Sequence, residues 1–288
     1  MRMHFYDLLT NSVINPKEEL QKLCTLFSGE RHYWSGAFKG ISLEEYIDRV
    51  IFRNLSFRGS YIGIEGMRRS LGISEDDFSF NSHCVSVPLE KLFLFCEFLL
   101  ALGSEGESKL KEVPEFYTQM LTIVENISHL LDKTNHCLEN ISETDTARCI
   151  IVPKNKLTTQ AVELIAEKPV ALSAIEYNHF SLRGDLSRKR AVLTTLANYV
   201  EPILHSGILK NNGYAQLETD TGFILNNFHI RHNNKEGTKR REYTAALSDG
   251  ALEKWYDRAY TMMLMVIVAQ DNAAVHAEIK ELKQSYNW

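Results

Sequence analysis

Between Pro114 and Leu131 the apolar residues Phe116, Tyr117, Met120, Ile123, Val124, Ile127, Leu130 and Leu131 fall three or four apart. That spacing gathers them on one face of an α-helix and predicts several turns of it. The pattern is strongest near the end of the chain. There Leu252, Trp255, Tyr256, Ala259, Tyr260, Met263, Val266 and Ile267 predict a closing helix that continues through "AEIKELKQ". Residues 88–103, "PLEKLFLFCEFLLALG", are apolar nearly all round, the mark of a buried helix. Helix starts are also legible. Asn15 stands before Pro16 and Glu18, and Ser42 before Glu45, both N-terminal capping patterns. The second predicts a helix carrying Tyr46, Val50 and Phe52 on one side.

One stretch breaks the helical rhythm. "TARCIIVP", residues 146–153, is β-branched and ends at Pro153, so it reads as a short strand near 147–152 or an extended crossover. Polar turn formers flank it, which places a boundary there between residues 1–145 and 146–288. Beyond it, "TTQAVELIAEK" and "PVALSAIEYNHF" predict two short helices, and "DLSRKRAVLTTLANYV" a longer one reaching Glu201 before Pro202. "ETDTGFILNNF" follows, then the closing helix. The fold class is therefore mainly α, a helical bundle with at most one short strand.

The 288 residues carry a net charge of −5, which argues against a surface that is basic throughout but leaves room for a local basic patch. Five scattered cysteines without a CxxC read as reduced thiols of a cytoplasmic protein. The N-terminal stretch lacks the make-up of a signal peptide. The longest apolar run, "MMLMVIVA", falls well short of the roughly 20 residues that span a bilayer, so no membrane partner is expected.

Candidate chemistry concentrates in "LNNFHIRHNNKEGTKRREY", residues 225–243. His229 and His232 are three apart, but a zinc site needs more ligands than an HxxH supplies; no metal and no cofactor is expected. Between His229 and Tyr243, five cations (Arg231, Lys235, Lys239, Arg240, Arg241) face two anions (Glu236, Glu242), a local charge of +3. Such a segment either focuses positive potential on phosphate or is a solvated connector beside a helix end. "YNHF", residues 177–180, places Asn178 and His179 at another helix end, where they either assist the first site or bond free carbonyls. "RHYWSGAF", residues 31–38, either stacks bases or packs on a neighbouring element. "GIEGMRRSLGI" lacks the spacing of a nucleotide-phosphate loop.

A helical chain whose penultimate helix ends in "NNFHIRHNN", followed by a polar loop and a long closing helix, resembles the HEPN group of bacterial defence and toxin proteins. Within that group it is most similar to helical abortive-infection proteins, and "IEYNHFSLRGDLSRKR" shares their look. The resemblance covers roughly residues 147–288. It implies a homodimer and a metal-independent endoribonuclease acting on RNA, with a second defence protein as a further partner. Arg231 would stabilise the phosphate, His232 or His229 would move protons, and His179 would assist. Asn233, Asn234 and Asn178 would orient the substrate, while Lys239, Arg240 and Arg241 would hold it. The chain departs from the group's signature of an Arg, a polar residue and a later His. Arg231 and His232 match the first two positions, but 235 to 237 are Lys235, Glu236 and Gly237, and the next His is His276. Arg53–Asn54 has the same gap. An alternative is therefore a non-catalytic interaction module binding a partner protein or nucleic acid.

Overall fold

Asn15 accepts a hydrogen bond from the backbone N–H of Lys17, and Pro16 occupies the first turn, so helix α1 (Pro16–Cys24) starts where the capping pattern predicts. The computed structural model describes residues 14–34, 39–73, 86–141, 148–231 and 247–286. Among them eleven α-helices and two small two-stranded sheets form two compact units, which divide between Ile151 and Val152.

In the N-terminal unit, α1 runs into a π-helical turn, Thr25–Gly29. Strand β1 (Arg31–His32) then pairs antiparallel with β2 (Ile41–Ser42). Ser42 caps α2 (Leu43–Tyr46), which continues as a second π-helical turn, Ile47–Ile51, and a 3₁₀ turn, Phe52–Asn54. Helices α3 (Ile64–Ser70), α4 (Leu89–Leu110) and α5 (Pro114–Lys133) follow. As its all-round apolarity predicts, α4 is the buried one; it runs past Gly103 to Leu110. Phe27, Phe95 and Phe98 meet edge to face or stacked in this core, and the Tyr46 ring stacks on Phe116 at 4.6 Å. Strands β3 (His136–Asn140) and β4 (Cys149–Pro153) form the second sheet. The backbone N–H of Ile151 donates to Glu97 on α4 at 2.6 Å. β4 is the strand expected near 147–152, but it is not the only one. β1 and β2 are two residues each, too short to leave a period-2 pattern, and β3, as long as β4, is hidden by its polar make-up.

Past the end of β4, the elements of the C-terminal unit are all helical among the described residues: α6 (Lys156–Leu164), α7 (Lys168–Glu176), a 3₁₀ turn at Phe180–Leu182, α8 (Leu186–His205), α9 (Ile208–Asn211), α10 (Ala215–Asn227) and α11 (Asp249–Ser285). The long α11 is the spine on which α6, α8 and α10 pack. Helix α8 does not stop at Glu201. It passes through Pro202 because its last turn buries Ile203 and Leu204, which offsets the lost backbone hydrogen bond. No helix among the described residues is long and apolar enough to cross a membrane.

Candidate functional site

The stretch singled out by the sequence is a helix end tied down on α8. Helix α10 closes at Phe228, His229 takes a left-handed conformation (φ 56°), and the backbone N–H of Arg231 returns to the carbonyl of Leu225. Thr194 on α8 donates to the carbonyl of Ile230 at 3.0 Å. The Arg231 guanidinium forms an ion pair with Glu201, also on α8, and its side chain is only 14% exposed. His229 buries its Nδ1, which has no hydrogen-bond partner among the described residues. Arg231 is thus neutralised rather than held open for phosphate, and a phosphate group would have to displace a carboxylate to reach it.

The two residues of the second candidate stretch are also committed locally. Asn178 donates to the Tyr260 hydroxyl at 2.8 Å and to Thr158 at 3.2 Å, and Tyr260 in turn donates to the carbonyl of Ala174. Asn178 is therefore a strut between α6, α7 and α11. Burial pushes the Tyr260 hydroxyl up to about 12, so it stays protonated and able to donate. His179 caps the 3₁₀ turn, its Nδ1 bonded to the Ser181 hydroxyl at 2.7 Å and accepting from the Ser181 N–H. His232, Asn233, Asn234, Lys239, Arg240 and Arg241 lie outside the described residues. Trp255 is half-buried, with Phe228 on one side and the Arg258 guanidinium over its ring at 4.6 Å. Tyr260 turns toward α6 and α7, stacking on Tyr177 at 4.2 Å.

The N-terminal unit brings together a set that no sequence motif announced. A cavity of about 590 Å³ is lined by Arg49, Phe52, Arg53, Arg58, Ser60 and Tyr61. The backbone explains the convergence. In the π-helical turn the N–H of Phe52 reaches back to the carbonyl of Ile47, and the 3₁₀ turn follows at once. Arg49 and Arg53, four apart, share the face of this turn that meets the opening, and π turns recur at functional sites. Arg58 packs its guanidinium 5.7 Å from the Phe52 ring centroid, which leaves its N–H edge for a ligand. Arg49 is loosely paired with Glu45 at 3.7 Å, and among the described residues Arg53 has no ion pair. Tyr61 is 38% exposed at the rim.

A second cavity of about 800 Å³ shares Asp48, Ser60, Tyr61 and Ile62 with the first. Glu44, Glu45 and Glu65 make it acidic. Glu44 is occupied by the buried Arg68 at 3.3 Å and by the Ser28 hydroxyl at 2.6 Å. Asp48 accepts from the N–H of Ile64, and a Cβ on Gly63 would stand 3.0 Å from that carboxylate oxygen, so glycine keeps this corner closed. Among the described residues no group of three or more His, Cys, Asp and Glu is placed to hold a metal. Arg49, Arg53 and Arg58 were legible only as arginines four and five apart ahead of a tyrosine, a spacing that no regular helix would bring to one point. Compared with known proteins, the chain matches no family model, no curated protein and no solved structure. Fold and cavity together define a mainly α protein with a cationic, aromatic-rimmed cleft.

Proposed function

We propose that the protein binds RNA without cleaving it, through the arginine-lined cavity of its N-terminal unit. The observation that carries this reading is the convergence of Arg49, Arg53 and Arg58 on one opening with Tyr61 at its rim. Guanidinium groups that track phosphates beside an aromatic ring on which a base stacks are the elements of single-strand recognition. A net charge of −5 does not oppose it, since affinity follows the charge near the site. The pairing of Arg231 with Glu201 supports binding over cleavage, because it removes the group that would have stabilised a charged phosphorane. In a defence role of the kind the resemblance implies, such a protein would hold RNA rather than cut it.

Fluorescence anisotropy with a short single-stranded RNA tests the proposal. Three phosphate contacts release counterions at about 0.7 each, so log Kd should rise with log salt at a slope of about 2. Arg53→Ala combined with Arg58→Ala should weaken binding at least tenfold and cut the slope to about 0.7. Arg231→Ala should leave binding unchanged, and the RNA should stay intact in EDTA. Binding that ignores the arginine variants would overturn the proposal. Metal-independent cleavage abolished by Arg231→Ala would establish the nuclease reading in its place.

A further inference from the structure

Helix α11 outruns the bundle it supports. Its last residue buried in the unit is Ala273, and every described residue from Ala274 to Tyr286 is exposed. A helix end with no core beneath it should be polar all round. This one is not. Val275, Ile279, Leu282 and Tyr286 are 44, 41, 58 and 73% exposed and follow one another at spacings of four, three and four. The same register extends backward through Asn272 and Val268 to Met265. Together these are the a and d positions of three consecutive heptads, with Met265, Asn272 and Ile279 at a and Val268, Val275 and Leu282 at d. Met265, Asn272, Val275, Ile279 and Leu282 are exposed, whereas Val268 still packs against the unit's own core, so the free part of the stripe begins at Asn272.

We infer that the distal half of α11 pairs with the same segment of a second copy of this chain, as a parallel two-stranded coiled coil. Three features of the sequence choose that occupant. An asparagine at a single a position costs stability but fixes register and favours two strands, because only a symmetry mate offers it an asparagine at the same level. The flanking charges are complementary in the parallel sense. Glu278 stands at g and Lys283 at the following e, and Asp271 and His276 repeat the arrangement one heptad earlier. In a parallel pair each g residue faces the next e of the partner, so Glu278 meets Lys283 and Asp271 meets His276 across the interface. In an antiparallel pair g faces g, and acid would meet acid. Neither Glu278 nor Lys283 has an opposite charge three or four residues away on its own helix, and among the described residues neither forms an ion pair. Their charges are spaced for a partner.

Sedimentation equilibrium on the full chain tests the inference. The wild type should be a dimer that dissociates on dilution, and Ile279→Glu combined with Leu282→Glu should be monomeric with an unaltered urea-unfolding midpoint, since neither residue belongs to the core. Orientation is read from a charge cycle. Glu278→Lys and Lys283→Glu should each raise the dimer dissociation constant about tenfold, and the two together should restore it. A monomeric wild type, or a dimer indifferent to the Ile279 and Leu282 changes, would overturn the inference. So would a double variant that fails to restore the wild-type dissociation constant.

Discussion

Glu253 on α11 accepts from the backbone N–H of Gly184 at 2.8 Å and pairs with the buried Lys189 at 2.8 Å. The Gly184 hydrogen bond first, and then that from Lys189, holds its carboxyl below the usual carboxylate range. A carboxyl depressed in the folded state stabilises the fold above its unfolded value of about 4.3, and that stability is lost as pH falls through the lower folded value. Glu253→Gln should therefore unfold at lower urea than the wild type at pH 7. The difference should close as the pH falls from about 4.3 through that lowered value, below which both side chains are neutral. A gap that persists at low pH would show that the side chain acts through packing and not through its charge. Lys189 itself also bonds Asp257 at 2.6 Å and lies over the Tyr177 ring, so α8 is locked to α11 by one cation. The same chemistry decides the fate of the two candidate arginines. Arg231 found a carboxylate thirty residues back in the chain, on a neighbouring helix, and no local pattern could have disclosed that. Among the described residues Arg53 found none, and only the fold reveals that Arg49 and Arg58 open beside it.

The elements most legible in the sequence were those that bury one face over many turns. Helix α5 follows its three-four spacing from Phe116 to Leu131, and Ser42 caps α2 as its spacing with Glu45 predicts. What escaped was short or irregular. The π turn at Ile47–Ile51 changes the periodicity for a single turn, and β1 and β2 are two residues each. Gly103 suggested a helix end, yet α4 runs through it and through Gly106, and the two glycines serve different ends. A Cβ on Gly106 would stand 2.9 and 3.2 Å from the Cδ1 and Cγ2 of the buried Ile51, so this glycine lets α4 approach the π turn that shapes the candidate cavity. A Cβ on Gly103 would meet the thioether of Met120, a side chain that can rearrange. Alanine gains up to about 1 kcal/mol over glycine in a helix interior. Gly103→Ala should then match or exceed the wild type, whereas Gly106→Ala should lose about 1 kcal/mol to overpacking. Urea-unfolding midpoints decide between them. Equal gains at both sites would mean that α4 does not press on Ile51.

The division between Ile151 and Val152 separates two cores and assigns the two proposed activities to different parts of the chain. Every buried member of the C-terminal core lies between Ala161 and Ala269, and Asn155 caps α6 from within the same segment, accepting from the N–H groups of Leu157 and Thr158. Strand β4 crosses the division, and its first residues are held by β3 and by the Ile151 hydrogen bond to Glu97. A cut after Pro153 keeps β4 with β3 and Asn155 with the helix it caps. Residues 154–288 expressed alone should be helical by circular dichroism and unfold cooperatively in urea. A broad transition with exposed apolar surface would mean that this core depends on the rest of the chain. If the core stands by itself, the fragments also separate the functions. Residues 154–288 keep the a and d stripe of α11 and should dimerise without binding RNA. Residues 1–153 keep Arg49, Arg53, Arg58 and Tyr61 and should bind RNA as a monomer, with lower apparent affinity than the full chain wherever one RNA can reach both clefts of a dimer. RNA binding that travels with residues 154–288 instead would move the site back to the basic stretch around Arg240 and Arg241.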